Sequence, residues 1–396
     1  MKNSINGGRG TVRRYYLFEF LSSFSFFSAV LIPFYTQWGH ITLGQSQMIQ
    51  AWFMLWIFIL EVPTGVVADR FGRKNSIALG ALIIGFATLV YGSFPHLGIF
   101  LLGEFLFATG VALISGANNA LLYDALKENG QEKESKHIFS QAHAIHLLAM
   151  FISAPIGSLF AFRFGLNFPM LLTSIPYLIA AVVAWSIREP KIQGKISESR
   201  RYLDIAWNGF NYFRRHNALR LLAFDAILVA AGAYFVIWFY QPLLIELNIP
   251  IVYFGYIHAL LISVEMFVSA DFTRLEKMFG SGTAYFKFSA LVTSLSMVLV
   301  AVFPNIFTVL LLILFAGGFG LTRLELMSAY MNRFIPSSHR ATVLSSISMF
   351  RRLSLVLLNP LIGYLADHSL SAALLIVSVL PMSVLLFSPL REKIIE

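Results

Sequence analysis

The sequence predicts an all-α polytopic membrane protein, with about twelve transmembrane helices in two pseudo-symmetric six-helix bundles. Three observations predict it. Hydrophobic residues fill 57% of the 396 positions and charged residues only 12%, roughly half the charged share of a soluble protein. Apolar windows of about 20 residues recur along the chain, each long enough to cross a hydrocarbon core of roughly 30 Å. The chain also repeats itself: Phe18-Glu19 and Phe224-Asp225 lie 206 residues apart, and further matches follow in the same order.

The expected spans are 15–35, 47–68, 75–93, 98–123, 138–160, 167–187, 218–241, 251–271, 284–303, 306–331, 341–364 and 370–390. Bases orient them. They fall at Arg9, Arg13 and Arg14, in the 65–74 loop, around Lys127–Lys136, across Arg188–Arg220, near Arg274–Lys277, at Arg333–Arg340, and at Arg391 and Lys393. These are alternate connections, and on the other side only Arg163 is basic. An excess of Lys and Arg marks cytoplasmic loops, so both termini and the 65–74 loop are expected in the cytoplasm. The same distribution explains the net charge of +9 without nucleic acid as a partner. The chain has no cysteine, which excludes disulfides and thiol metal sites. The apolar run after Arg14 lacks a small-residue cleavage site, so the first span is expected to remain as an anchor in a cytoplasmic (inner) cell membrane.

The repeat divides the chain. Phe34-Tyr35 with Gln37 matches Phe239-Tyr240-Gln241, Phe107-Ala108-Thr109-Gly110 matches Phe315-Ala316-Gly317-Gly318, and Ala154-Pro155 matches Asn359-Pro360. The expected domains are an N-terminal six-helix bundle at 1–187, a cytoplasmic linker at 188–217, and a C-terminal six-helix bundle at 218–396. The linker carries an amphipathic helix with Leu203, Ala206, Trp207, Phe210 and Phe213 on one face and Arg200, Arg201, Asp204, Arg214 and Arg215 elsewhere. Basic and aromatic helices of this kind lie in the headgroup plane.

Between the second and third spans runs Gly65-Val66-Val67-Ala68-Asp69-Arg70-Phe71-Gly72-Arg73-Lys74. Glycines allow a tight turn and a close approach of helix ends, and the acid and bases can bridge neighbouring ends. The spacing resembles the signature loop of the major facilitator superfamily, G-x-x-x-D-R-x-G-R-K. That resemblance implies a secondary transporter whose two halves alternate access to a midplane site. It also implies that Asp69 faces the positive start of the eleventh helix. Arg73 pairs with an acid ending the fourth span, a position filled by Asp124. Gly65, Asp69, Arg70, Gly72, Arg73 and Asp124 are therefore the expected cytoplasmic gate. A weaker resemblance to the drug–proton antiporter branch rests on Ala154-Pro155-Ile156-Gly157-Ser158, a partial match to a glycine-rich fifth-span segment. That branch's fourth-span arginine has no counterpart here.

A charge at the bilayer centre costs roughly 2.5–3.5 kcal/mol on insertion scales, so each intramembrane charge is a functional candidate. Helical spacing sorts them into stripes. Glu19 shares a face with Ser22 and Ser23; His143, His146, Met150 and Ser153 line the fifth span; His258 and Glu265 are seven apart. The tenth span carries Gly318, Thr322, Glu325 and Ser328 on one face, with Arg323 elsewhere. The eleventh aligns Ser345, Ser348, Arg352 and Asn359, leaving Arg351 on an apolar side to snorkel or pair with a neighbouring helix. Carboxylates in a low-dielectric cavity titrate near neutrality and histidine does so intrinsically. Proton-coupling candidates are thus Glu19, first, then Glu265, Glu325, Asp225, His143 and His146. Substrate-binding candidates are Phe26, Tyr234, Trp238, Arg323 and Arg352, the two arginines being open equally to static pairing with an acid. Glu61 and Glu104, nearer helix ends, are read as structural.

No nucleophile, metal-ligand or phosphate-loop pattern suggests an enzyme, and no cofactor or metal is expected. No ATP-binding pattern is read in the sequence, so an ion gradient or the solute's own gradient is expected to drive transport. The leading reading is a monomeric, proton-coupled exporter of amphiphilic compounds. The alternative is a proton-coupled or facilitative carrier of a polar or anionic metabolite.

Overall fold

The computed structural model describes residues 2–190, 210–336 and 340–387. Among them the secondary structure is helical, without strands. The long helices are α1 (Lys2–Ser22), α2 (Leu43–Phe71), α3 (Arg73–Tyr91), α4 (Leu97–Ser115), α5 (Asn118–Glu128), α6 (Ser135–Phe164) and α7 (Phe168–Ser186). Then follow α8 (Asn217–Glu246), α9 (Phe254–Ala270), α10 (Phe272–Met278), α11 (Gly282–Val302), α12 (Ile306–Leu312), α13 (Arg323–Met331), α14 (Arg340–His368) and α15 (Leu370–Phe387). Among the described residues nine helical segments are long and apolar enough to cross a membrane, and Leu370–Leu386 is a shorter apolar helix. The first and eleventh expected spans correspond to α1 with the turns after it, and to α14.

The structure departs from the expected spans at four places, one of them the Gly116–Ala117 turn that divides the fourth span into α4 and α5. The first span is not one helix: α1 stops at Ser22, and the chain resumes in short helical turns over Ser28–Trp38. Ser22 and Ser23 bond back to backbone carbonyls of the preceding turn, a competition that weakens a helix end. The tenth span is interrupted by a π-helical stretch, Ile313–Gly320, of the kind often found at functional positions. The 65–74 segment is a loop only at Gly72; residues 65–71 complete α2. Residues 191–209, which include the first part of the expected amphipathic linker helix, lie outside the described residues, and 210–215 are helical.

The chain divides into two compact units. Unit 1 comprises Met1–Ile41, Trp52–Ser199 and Ile251–Ala259, and unit 2 comprises Thr42–Ala51, Arg200–Pro250 and Leu260–Glu396. In unit 1, α3 packs along both α4 and α7. A Cβ on Gly80 would lie 2.7 Å from the Gly110 carbonyl, and one on Gly110 would lie 2.6 Å from that of Gly80. Small residues bring membrane helices into this kind of direct contact. Phe18, Ile77, Ala81, Tyr177 and Ala180 complete the core there. In unit 2, α11 packs along α15 and the π-helical stretch, over a core of Leu219, Leu222, Phe286, Met327 and Val343. The third span with the fourth and sixth, and the ninth with the tenth and twelfth, make the same set of neighbours. The internal repeat is thus visible as packing as well as sequence.

Candidate functional site: a polar cluster at the break in the first span

The break after α1 positions the main cluster of unit 1. Glu19, on the last turn of α1, accepts a hydrogen bond from Asn118 Nδ2 at the start of α5, and Tyr15 also bonds to its side chain. Ser23, where the helix stops, sits 2.7 Å from His146 Nδ1. The ring of His146 stacks on that of His143 one turn earlier on α6, with centroids 6.1 Å apart, and His143 is close enough to Glu19 to act on it electrostatically. The structure therefore brings together three of the expected coupling residues: Glu19, His143 and His146. The Glu19 carboxylate accepts its hydrogen bonds from the uncharged side chains of Asn118 and Tyr15. Just beyond, the Phe26 backbone N–H donates to Thr173 Oγ1 at 3.2 Å. A Cβ on Gly157 would collide with the Phe26 carbonyl, so glycine is needed for α6 to pass the break in the first span. Phe26 lies against α6 and α7 through this backbone contact.

In unit 2 the corresponding carboxylate is held differently. Asp225 accepts from Arg323 Nε at 2.9 Å and from its Nη2. Arg323 is 0% exposed and Asp225 1%. The guanidinium also donates to the Phe286 carbonyl and lies 5.1 Å from the centre of that ring. Such a pair fixes α8 to α13 through groups that have lost their water. Asp225 and Arg323, one expected to carry protons and the other substrate, are each other's partners.

The remaining candidates of unit 2 form a looser set. Glu265 and Glu325 are within electrostatic reach of each other. Arg351 faces Arg352, Tyr234 and Glu325 in the same sense. Tyr234 and Trp238 are buried, with ring centroids 5.9 Å apart. Arg351, assigned from its helical face to an apolar side, is thus among the polar groups. A cavity of about 720 Å³ opens elsewhere in unit 2, lined by Phe213, Asn217, Arg220, Phe224, Phe350 and Ser354 among others; none of Tyr234, Trp238, Arg323 or Arg352 lines it.

The expected gate is partly assembled within unit 1. Gly72 adopts φ 94° at the turn between α2 and α3, a conformation that suits glycine. Arg73 pairs with Asp124 and donates to the Ala120 carbonyl at 2.9 Å. Glu189, which sequence reasoning left out, accepts from the backbone N–H groups of Arg73 and Lys74 at 2.8 and 2.9 Å. It satisfies the free amides at the start of α3. Asp69 and Arg70 are exposed on the last turn of α2, and a Cβ on Gly65 would meet nothing within 4 Å. The close approach therefore belongs to Gly72.

The helical units, their repeated packing and the buried polar clusters define the fold of a secondary transporter. The family model described as Major Facilitator Superfamily matches residues 15–357; the chain belongs to that family. It is therefore a membrane-embedded secondary transporter of small molecules rather than an enzyme. An uncharacterized MFS-type transporter, YxaM, of Bacillus subtilis (strain 168) is 24% identical over 331 residues, covering 81% of this chain and 80% of that protein. Multidrug resistance protein 2 of the same organism is 27% identical over 154 residues, covering 39% of this chain and 37% of that one. The crystal structure of the nucleoside transporter NupG matches with a TM-score of 0.80 at 14% identity, over 96% of this chain and 100% of that chain. A POT family transporter in complex with a thioalcohol-conjugated peptide matches with a TM-score of 0.76 at 15% identity, over 98% and 97%. These structural likenesses concern the fold alone.

Proposed function

We propose that the chain is a proton-coupled exporter of amphiphilic compounds in the cytoplasmic membrane, with Glu19 as the residue that binds and releases the proton. The observation that carries this reading is the setting of Glu19: a carboxylate beside a broken span, bonded to Asn118 and Tyr15 and close to two histidines. A carboxylate held by neutral donors can gain a proton without stranding a buried cation. The partial match to Multidrug resistance protein 2 supports export of amphiphiles. The duplicated halves are assigned to 1–187 and 218–396, joined by a cytoplasmic linker at 188–217, with both termini cytoplasmic and one chain sufficient for transport. Arg73, Asp124 and Gly72, with Asp69 and Arg70, form the cytoplasmic gate.

The second reading, a carrier of an anionic metabolite, is favoured by Arg351, a cation beside Arg352 and within electrostatic reach of Tyr234 and Glu325. One experiment separates the two. Proteoliposomes loaded with a pH-sensitive dye are challenged with lipophilic cations and with organic anions. Cation-triggered proton movement that disappears in Glu19→Gln is the expected result. Movement with organic anions alone, abolished by Arg352→Ala, replaces the exporter with the carrier. Solute flux without proton movement removes proton coupling altogether.

A further inference from the structure

Helix α8 has two different faces near its start. Leu219, Leu222, Ala223 and Ala226 are fully buried and pack into the core of unit 2. Asn217, Arg220, Leu221, Phe224 and Leu228 follow one another at helical spacing on the other side, where they line the cavity of about 720 Å³. Phe350 and Ser354 of α14 form its second wall. The end of the linker makes the rim: Phe213 stacks on Phe350 with ring centroids 5.7 Å apart, and Phe210 lies 5.9 Å from the same ring. All of these residues belong to unit 2.

The polarity of the cavity changes along the helix. Asn217 and Arg220 stand in the first turn of α8, and Arg220 Nη2 donates to Asn217 Oδ1. Among the described residues no carboxylate lies within ion-pair distance of Arg220. Residues 205–224 carry Arg214, Arg215 and Arg220 and no acid, and all three arginines are exposed. From Arg220 to Leu228 the helix rises about 12 Å, and over that distance the lining turns apolar through Phe224, Ile227 and Leu228. Phe224 is 64% exposed, and Leu357, about one turn beyond Ser354 on α14, is 75% exposed. A cation at the mouth with open hydrocarbon walls beyond it matches a ligand that has an anionic head and an apolar tail. Basic pockets between membrane helices hold anionic lipid headgroups in this way. A zwitterionic lipid offers the same tail but brings its own ammonium towards Arg220, and a soluble anion leaves the apolar walls uncovered.

We propose that this cavity binds one anionic phospholipid, with its phosphate at Arg220 and Asn217 and an acyl chain along Phe224 and Leu228. The site depends on α8 crossing the membrane and not on the solute or the coupling ion, so it stands or fails separately from the role of Glu19.

The chain has no cysteine, so a single reporter can be placed without background. Leu357→Cys, at the exposed edge of the cavity, carries a fluorophore. The full chain is reconstituted in mixed vesicles in which either phosphatidylglycerol or phosphatidylcholine bears bromine on its acyl chains, at equal mole fraction. Bromine quenches at short range only, so quenching reports which lipid sits beside the label. Brominated phosphatidylglycerol is expected to quench severalfold more than brominated phosphatidylcholine. Leu291→Cys, exposed on α11, is the control, and both lipids are expected to quench it alike. Arg220→Gln is expected to abolish the preference at Leu357→Cys, and Arg220→Lys to keep most of it. Arg220 is exposed, so both variants are expected to unfold at the same midpoint as the parent. Equal quenching by the two lipids at Leu357→Cys overturns the site and leaves ordinary boundary lipid. So does quenching by neither, which means that the linker or an amphiphilic solute fills the cavity, and so does a preference that survives Arg220→Gln.

Discussion

Glu19 and Asp225 occupy the same position of a duplicated unit, 206 residues apart, and the two units have given them opposite partners. Asn118 and Arg323, 205 residues apart, supply those partners from matching places at the fourth and tenth spans. Glu19 meets an amide and a phenol; Asp225 meets a guanidinium that is fully buried with it. An amide accommodates a carboxyl group in either protonation state. A buried guanidinium stabilises only the ionised one, and protonating Asp225 would leave Arg323 uncompensated. On the proposed reading, the repeat holds one carboxylate free to titrate and one fixed as a fastening.

The largest effect expected from breaking this comparison is at the fastening. Arg323→Met leaves Asp225 ionised and buried, a loss of roughly 3–5 kcal/mol, seen as a lowered unfolding midpoint in detergent. The double variant Asp225→Asn/Arg323→Met is expected to recover most of it. Next is Asn118→Arg, which copies the Asp225 setting onto Glu19: proton movement is expected to stop while the protein remains folded. Ser23→Ala removes the bond to His146 and is expected to cost about 0.5–1.5 kcal/mol in the same unfolding assay, with proton coupling retained. The smallest effect is at Glu189→Gln, which weakens the charged cap on α3 by about 0.3–1 kcal/mol.

Much of the fold was legible because long apolar windows and alternating loop charge obey strong constraints. The Gly72 turn was marked by the glycine of the 65–74 loop, and the Arg73–Asp124 pair was implied by the resemblance of that loop to the family's signature. The stripe through Glu19, Ser22 and Ser23 also pointed to a wet face. What it hid was the break itself: residues 23–27 are as apolar as a continuing helix, and only the serine back-bonding marks the stop. Asn118 was missed because Asn118-Asn119 reads as an ordinary helix end. Glu189 was missed because its partners are backbone amides, which leave no pattern in side chains. Arg323 and Asp225 were each identified as unusual, but their pairing is a tertiary event between spans nearly a hundred residues apart, outside any helical period. Periodicity put Arg351 on an apolar side and left open whether it snorkels or pairs with a neighbouring helix; its neighbours Tyr234 and Glu325 come from other helices.

The most direct test of the account compares the two carboxylates in one assay: solute-driven proton movement in proteoliposomes of Glu19→Gln and of Asp225→Asn/Arg323→Met. The account predicts that proton movement vanishes in the first and persists, with an unchanged ratio of protons to solute, in the second. Proton movement that survives Glu19→Gln and is lost in the double variant would contradict it.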